Sequence, residues 1–176
     1  MADLGPVSWP PPSITTKRLV LREPEAHDRP VFIELLTSPD VHTYLGGPRA
    51  HDDVERAMPA VLPSRPGLFV VRLDGDMIGT VTLERRDAER PGHTRPEARE
   101  IELGYMFLPR AWGFGYAAEA CVAALDWVAG ALPGEPVVLC TQTANARSLR
   151  VAQQLGFVEV ERFEEFGAEQ WFATLE

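Results

Sequence analysis

The residues from Pro109 to Ala120 carry the densest chemical signal in this chain of 176 residues. They read Pro-Arg-Ala-Trp-Gly-Phe-Gly-Tyr-Ala-Ala-Glu-Ala and join a strand-like run to the strongest helical pattern in the sequence. Gly113 and Gly115, a single residue between them, let the backbone turn tightly and bring successive N–H groups to one point. The first amides of a helix have no internal partner, and the helix dipole is positive there. Together these features suit an anion such as a pyrophosphate. A second reading fits equally: glycines that only shape a strand-to-helix turn. The segment is not a Walker loop, because no Gly-Lys-Ser/Thr follows, and the dinucleotide pattern Gly-x-Gly-x-x-Gly is incomplete. In the preceding strand, Glu100 and Glu102 share the face opposite Ile101, Leu103, Tyr105 and Phe107. Such carboxylates are general-base candidates, or they are exposed or paired with an arginine. Asn145 stands just before a helical run and suits an N-cap. Ser148 lies one helical turn on, on the same face.

Other chemistries find less support. His27, His42, His51 and His93 have no metal-ligand spacing to each other or to a cysteine, so no metal site is expected. Cys121 and Cys140 fall in an apolar helix and an apolar strand and read as core packing rather than as a disulfide framework. A net charge of -9 argues against nucleic-acid binding and favours a cationic partner. No apolar stretch approaches the roughly 18 to 20 residues of a membrane span. The N-terminus shows no basic n-region and no apolar h-region, which predicts a cytoplasmic protein without a secretory signal.

The elements that must position these residues follow from periodicity. Residues 1–13 carry Pro6, Pro10, Pro11 and Pro12 and read as a proline-rich extended tail. Trp9 within it is a candidate for docking onto the domain. Residues 14–176 read as a single domain. Strands are expected over 16–22, 68–73, 77–83, 100–108, 136–141, 157–162 and 170–175. Asp74-Gly75-Asp76 predicts a hairpin turn. Helices are expected over 25–38, capped by Asp28 with Pro30 just inside, and over 51–62, 115–131 and 146–155, the last stopped by Gly156. Residues 85–98, rich in arginine, read as a solvated loop.

Trp112-Gly113-Phe114-Gly115-Tyr116-Ala117 resembles the acetyl-CoA loop of the GNAT N-acetyltransferases, whose pattern is Gln/Arg-x-x-Gly-x-Gly/Ala. Trp112 takes the first position, and Gly115 and Ala117 fill the small-residue positions; a frame starting at Arg110 also fits. Trp-Gly-x-Gly-Tyr-Ala-x-Glu-Ala is similar to the ribosomal-protein N-terminal acetyltransferases of the Rim type. So are Thr16-x-Arg18-Leu-x-Leu-Arg22, Ile78-Gly79-x-Val81, Glu102-Leu103-Gly104-Tyr105, and Asn145-x-x-Ser148 leading to Leu155-Gly156-Phe157.

The resemblance implies an α/β GNAT fold. Its centre would be a mixed, mostly antiparallel twisted sheet of about six or seven strands, flanked by about four helices. It implies an N-acetyltransferase that moves acetyl from acetyl-CoA to a primary amine by direct attack, as a monomer or homodimer. The amine would belong to a protein N-terminus, an aminoglycoside or another small molecule. Backbone near Met106, Phe107 and Leu108 would pair with the pantetheine arm, and amides from Gly113 to Ala117 would hold the pyrophosphate. Asn145 matches the asparagine that faces the arm, and Arg147 and Arg150 lie within reach of the ribose phosphate. Glu102 matches the Glu of the Rim-type Glu-x-Gly-Tyr and is the preferred base, with Glu84 outside it. The sequence departs from the wider superfamily at Ala152, where many members carry a tyrosine acid. Ser148, Tyr105 or a water is left to serve the leaving thiolate. That departure keeps one rival open, a non-catalytic acyl-CoA-binding module.

Overall fold

The computed structural model describes residues 4–95 and 99–175. Part of the arginine-rich segment, residues 96–98, lies outside them. Among the described residues, eight strands form one sheet: β1 (Ile14–Thr15), β2 (Leu19–Arg22), β3 (Leu68–Leu73), β4 (Asp76–Arg85), β5 (Ile101–Phe107), β6 (Val137–Gln142), β7 (Val158–Glu165) and β8 (Ala168–Leu175). Their order is β1-β2-β3-β4-β5-β6-β8-β7. Every neighbouring pair is antiparallel except β5 with β6. The helices are α1 (Arg29–Thr37), α2 (His51–Ala57), α3 (Tyr116–Ala131) and α4 (Ala146–Gln154).

Alternation along the strands gives the sheet two apolar faces. One presents Ile101, Leu103, Phe107, Val137, Leu139, Trp171 and Ala173 to α3 and α4. The other presents Val70, Met77 and Leu108 to Phe32 and Leu35 of α1. The turns that close the β3–β4 and β7–β8 hairpins show the same chemistry. Asp74 and Gly75 have φ 50° and 91°, and Phe166 and Gly167 have φ 54° and 75°. Two successive left-handed residues make the turn whose twist matches a right-twisted hairpin.

Several expected boundaries shift for local reasons. A two-residue strand, β1, adds to the expected six or seven. Asp28 stands at the start of α1, but its carboxylate does not cap the helix. It accepts from Arg22 Nη1 at 2.7 Å and from the Glu25 amide at 2.7 Å. The second helix ends at Ala57 rather than Leu62, because Met58 precedes Pro59 and proline disfavours helical backbone in the residue before it. The described part of the N-terminal segment packs against the domain. Leu4 is fully buried, and Trp9 meets Phe69 and Trp127 edge-on with centroids 5.0 and 5.5 Å away.

The arginine-rich loop is anchored rather than loosely solvated. Arg86 is fully buried, donates to the carbonyls of Gly92 and Pro91, and lies over the Phe172 ring at 5.1 Å. Glu100 is buried beside it. Its Oε1 accepts from the Thr94 and Arg95 amides, and its Oε2 lies 2.8 Å from His93 Nδ1. Burial pushes this carboxyl up, but His93 and the amides outweigh it and hold the pKa at about 2. A carboxyl depressed on folding stabilises the native state above its unfolded pKa, and that stabilisation disappears as the pH falls through the folded value. Stability measured from pH 5 to pH 2 is therefore expected to fall steeply in the wild type. Glu100→Gln should lower stability at neutral pH by about 1–3 kcal/mol and flatten that acid limb. An acid limb identical to the wild type would show that Glu100 does not anchor the loop.

Candidate acetyl-CoA and amine site

The contact between β5 and β6 sets the site. The strands pair only at Ile101↔Val137 and Glu102↔Val138. Beyond Glu102, β5 continues beside β4 as far as Gly79↔Phe107, while β6 continues beside β8 as far as Gln142↔Gln170. The β6-facing edge from Gly104 onward thus has no strand partner. Of Met106, Phe107 and Leu108, Phe107 turns its backbone to this edge, in the place where an extended arm can add as a strand, while the Leu108 amide turns to β4 and donates to the Ile78 carbonyl at 2.9 Å, and Met106 pairs there with Thr80. The Phe107 carbonyl is already engaged by Trp112 Nε1 at 2.8 Å.

The glycine loop follows. A short 3-10 turn, Pro109–Ala111, leads through Trp112 into Gly113 and Gly115, with φ 85° and 80°. Both lie in the left-handed region, where a side chain is strained. A Cβ on Gly113 would meet nothing within 4 Å, so conformation, not crowding, requires glycine here. Gly115 is the N-cap of α3. By helix geometry the amides of Tyr116, Ala117 and Ala118 have no carbonyl a turn behind them. Phe114 stacks on Tyr116 with ring centroids 5.5 Å apart and is itself exposed.

Arg18 locks this loop, a role that sequence reading missed although the Thr16-x-Arg18 motif drew attention to it. Its Nη1 donates to the Phe114 carbonyl at 2.9 Å, and its guanidinium sits 4.5 Å over the Tyr116 ring. Its Nε and backbone N–H both bind Glu119, at 2.7 and 2.8 Å, and Thr16 Oγ1 adds 2.7 Å. Burial pushes the Glu119 carboxyl up, but Thr16 and Arg18 hold it below its usual range. The negative charge in the first turn is thereby paired away from the amides. A cleft of about 310 Å³ opens beside the loop, lined by Arg18, Gly115, Ala118, Glu119, Val122, Gln154 and Leu155.

Helix α4 borders the opening on the other side. Asn145 Oδ1 accepts from the Ser148 amide at 3.2 Å, a side-chain N-cap. The Arg147 guanidinium lies over the Trp112 ring, 4.0 Å from its centroid. Among the described residues neither Arg147 nor Arg150 forms a salt bridge. Ser148 Oγ lies 2.8 Å from Tyr105 Oη. Ala152 is fully buried in the core.

Glu102 points to the opposite face of the sheet from Tyr105. Its Oε2 pairs with Nη1 of Arg86 at 2.9 Å and with Nη1 of Arg90 at 3.5 Å, and Arg90 also pairs with Glu165 at 2.8 Å. The arginine-paired alternative thus describes its surroundings. Glu84 pairs with Arg65 at 3.5 Å. Cys121 is fully buried, and burial pushes its thiol well up; the Cys140 thiol is raised by the same cause. Among the described residues, exposed His51, Asp52 and Glu55 on α2 form a group whose ligand atoms lie within 4.8 Å of one another. No helix among the described residues is long and apolar enough to cross a membrane.

An open parallel pair followed by a left-handed glycine loop and a helix start matches a known family. The Acetyltransferase (GNAT) domain matches residues 18–158, so the chain belongs to the GNAT acetyltransferases. It is an acyl-CoA-dependent N-acetyltransferase of that family. It is similar to the uncharacterized protein YkkB of Bacillus subtilis (strain 168), 27% identical over 150 residues, which are 81% of this chain and 83% of YkkB. A GNAT-family acetyltransferase from Bacillus anthracis superposes with a TM-score of 0.72 at 22% identity, over 93% of this chain and 97% of that one. AAC(6')-Ib in complex with ribostamycin and coenzyme A superposes with a TM-score of 0.71 at 15% identity, over 90% and 93% of the two chains. Members of this family use acetyl-CoA.

The loop makes a direct prediction. Gly115→Val should leave a folded protein, with a strain of about 1–2 kcal/mol from the left-handed backbone, and should reduce acetyl-CoA affinity at least tenfold by calorimetry. Unchanged affinity would remove the loop from the cofactor site.

Proposed function

We propose that the chain transfers acetyl from acetyl-CoA to a primary amine on a cationic acceptor by direct attack. The observation that carries this reading is the parting of β5 from β6 after Glu102, immediately before the glycine loop. In this reading, backbone around Phe107 pairs with the pantetheine arm. Amides from Gly113 to Ala117 receive the pyrophosphate. Trp112 and Arg147 supply a stacked, positively charged wall beside it, and Asn145 faces the arm while capping α4. The enzyme contributes mainly by aligning amine and thioester and by polarising the carbonyl with strand amides.

The amine must lose a proton as it attacks. We assign that proton to Glu102. Both of its ion pairs fall on Oε2, so Oε1 is the oxygen assigned to the amine. Arg86 and Arg90 hold the carboxylate in place. Ser148 serves the leaving sulfur, since Ala152 offers no hydroxyl. The acceptor class rests on the acidic net charge of -9, which favours a cationic amine. The Rim-type motifs favour a protein N-terminus within that class.

The test measures CoA release from acetyl-CoA with three kinds of acceptor: basic peptides with free N-termini, spermidine and ribostamycin. Turnover with any of them, with acetylation of the amine confirmed by mass, supports the assignment. Tight acetyl-CoA binding without turnover on any amine would favour the acyl-CoA-binding module instead.

For the base, Glu102→Gln is expected to lower kcat at neutral pH by about 10- to 100-fold per folded molecule. Acetyl-CoA affinity should stay within about twofold. The same change leaves Arg86 buried without its carboxylate and should cost about 3–5 kcal/mol of stability, so the folded fraction is measured alongside. A wild-type kcat in the folded fraction would restrict Glu102 to pairing Arg86.

A further inference from the structure

His93 has an acceptor in front of each ring nitrogen. Nδ1 lies 2.8 Å from Glu100 Oε2, and Nε2 lies 2.8 Å from the Arg90 carbonyl. The Glu100 side chain is fully buried and ionised, its Oε1 taken by the Thr94 and Arg95 amides. Neither a carboxylate nor a carbonyl has a proton to give. A neutral imidazole donates from one nitrogen only, so it would leave its other lone pair against an acceptor oxygen. Both contacts are hydrogen bonds only when His93 carries two protons. Charge counting agrees. Glu100, Glu102 and Glu165 are the three carboxylates of this cluster, Arg86 and Arg90 supply two cations, and a charged His93 is the third. We propose that His93 is a positioning residue for Glu102: as an imidazolium it ties the Arg90 main chain to Glu100, and so fixes the guanidinium that orients the Glu102 carboxylate. The inference rests on the reading of Glu102 as the group that takes the proton of the amine.

Arg90 connects His93 to Glu102. Its Nε and Nη2 bind the two oxygens of Glu165, at 2.9 and 2.8 Å, and its Nη1 faces Glu102 Oε2 at 3.5 Å. Glu165 on β7 holds the far end of that side chain, and His93 holds the near end at the main chain. A long side chain fixed at both ends loses its rotamer freedom and keeps Nη1 beside Glu102. The rest of the loop is built the same way. The carbonyls of Arg90, Pro91 and Gly92 accept in turn from His93, Arg86 Nη2 and Arg86 Nε. A Cβ on Gly92 would lie 2.6 Å from the Phe163 ring and 3.0 Å from Phe172, so the loop is seated closely on the sheet. Around the pair stand Arg86 after β4, Glu102 on β5, Cys140 on β6 and Glu165 on β7. Burial keeps the Cys140 thiol neutral, and the other two carboxylates are already paired with arginines, so Glu100 is the counter-charge left for His93. A His93 with one proton would keep one of its two bonds. The bond to the Glu100 carboxylate is charge-assisted and stronger, so the Arg90 carbonyl is the partner released.

The test joins spectroscopy to kinetics. Nitrogen NMR at pH 7 should show the His93 imidazole, assigned by its loss in His93→Asn, with both ring nitrogens protonated. His93→Asn places an amide N–H where Nδ1 was, toward Glu100, but is too short to reach the Arg90 carbonyl. It should lower kcat about 5- to 10-fold per folded molecule, with acetyl-CoA affinity and the KM of the amine within about twofold. His93→Gln reaches the Arg90 carbonyl and should recover most of that kcat, although it gives up Glu100 and melts lower. In the Glu102→Gln background His93→Asn should cost nothing further, because it acts through Glu102. A neutral His93, an unchanged kcat in His93→Asn beside a slow Glu102→Gln, or additive losses in the double variant would overturn the positioning role and leave the base reading intact. A wild-type kcat in the folded fraction of Glu102→Gln would overturn the base reading, and the positioning role with it.

Discussion

Two residue pairs join β5 to β6, and the rest of the architecture is arranged around the point where that contact stops. A sheet that opens in its middle exposes backbone donors and acceptors that would otherwise be satisfied by the neighbouring strand. The protein closes much of the opening with side chains. Trp112 takes the Phe107 carbonyl, Tyr105 reaches Ser148, and Gln142 Nε2 donates to the Tyr44 carbonyl at 3.1 Å from the β6 side. What stays open is the β5 edge facing β6, bounded by α4 and the glycine loop. An extended ligand that brings its own amides can occupy that edge with little rearrangement.

Charge placement follows from the same constraint. The chain is acidic, yet in the proposed reading the start of α3 receives an anion. Glu119 in the first turn of α3 would oppose that, and Arg18 answers it by binding both the carboxylate and the loop carbonyl of Phe114. On the other face, Glu102 is held by Arg86 and Arg90. An unpaired buried guanidinium is costly, so Arg86 and Glu102 keep each other in place whatever else the carboxylate does. The two faces thus carry opposite tasks: cationic support near the glycine loop, and a fixed acidic group on the face where α1 packs.

The glycine loop was legible in the sequence because its requirement is local. Left-handed backbone wants glycine, and a helix start wants free amides; both sit within a few residues. The hairpin turn at Asp74 and Gly75 and the α3 and α4 helices were legible for the same reason. The short strand β1 was not, because two residues carry no periodicity. The partners of Glu102 were not, because Arg86 lies in a segment that composition alone reads as solvated. Its burial comes from Phe172 and the Gly92 and Pro91 carbonyls, which arrive from the folded loop and from β8. Trp9 was legible as an oddity in a proline-rich tail, but its partners Phe69 and Trp127 are set by tertiary packing. The Tyr105–Ser148 contact joins residues 43 apart in sequence, and neither side chain alone distinguishes it from a packed tyrosine or a helix-start serine.

Ala152 shows how the same position can serve two different needs. It lies on α4 one turn past Ser148 and is fully buried against the core. An alanine there lets the helix seat closely against the sheet, and a close-packed core leaves little room for a larger ring. A helix seated this way brings its first turn near β5, which is the condition for Ser148 to meet Tyr105 at 2.8 Å. Packing a large phenol from α4 would push the helix outward and lengthen that contact, because a core responds to added volume by shifting its elements. The small side chain at Ala152 and the short Tyr105–Ser148 contact are therefore parts of one packing arrangement. The small residue at Ala152 and the strand tyrosine at Tyr105 form one consistent choice.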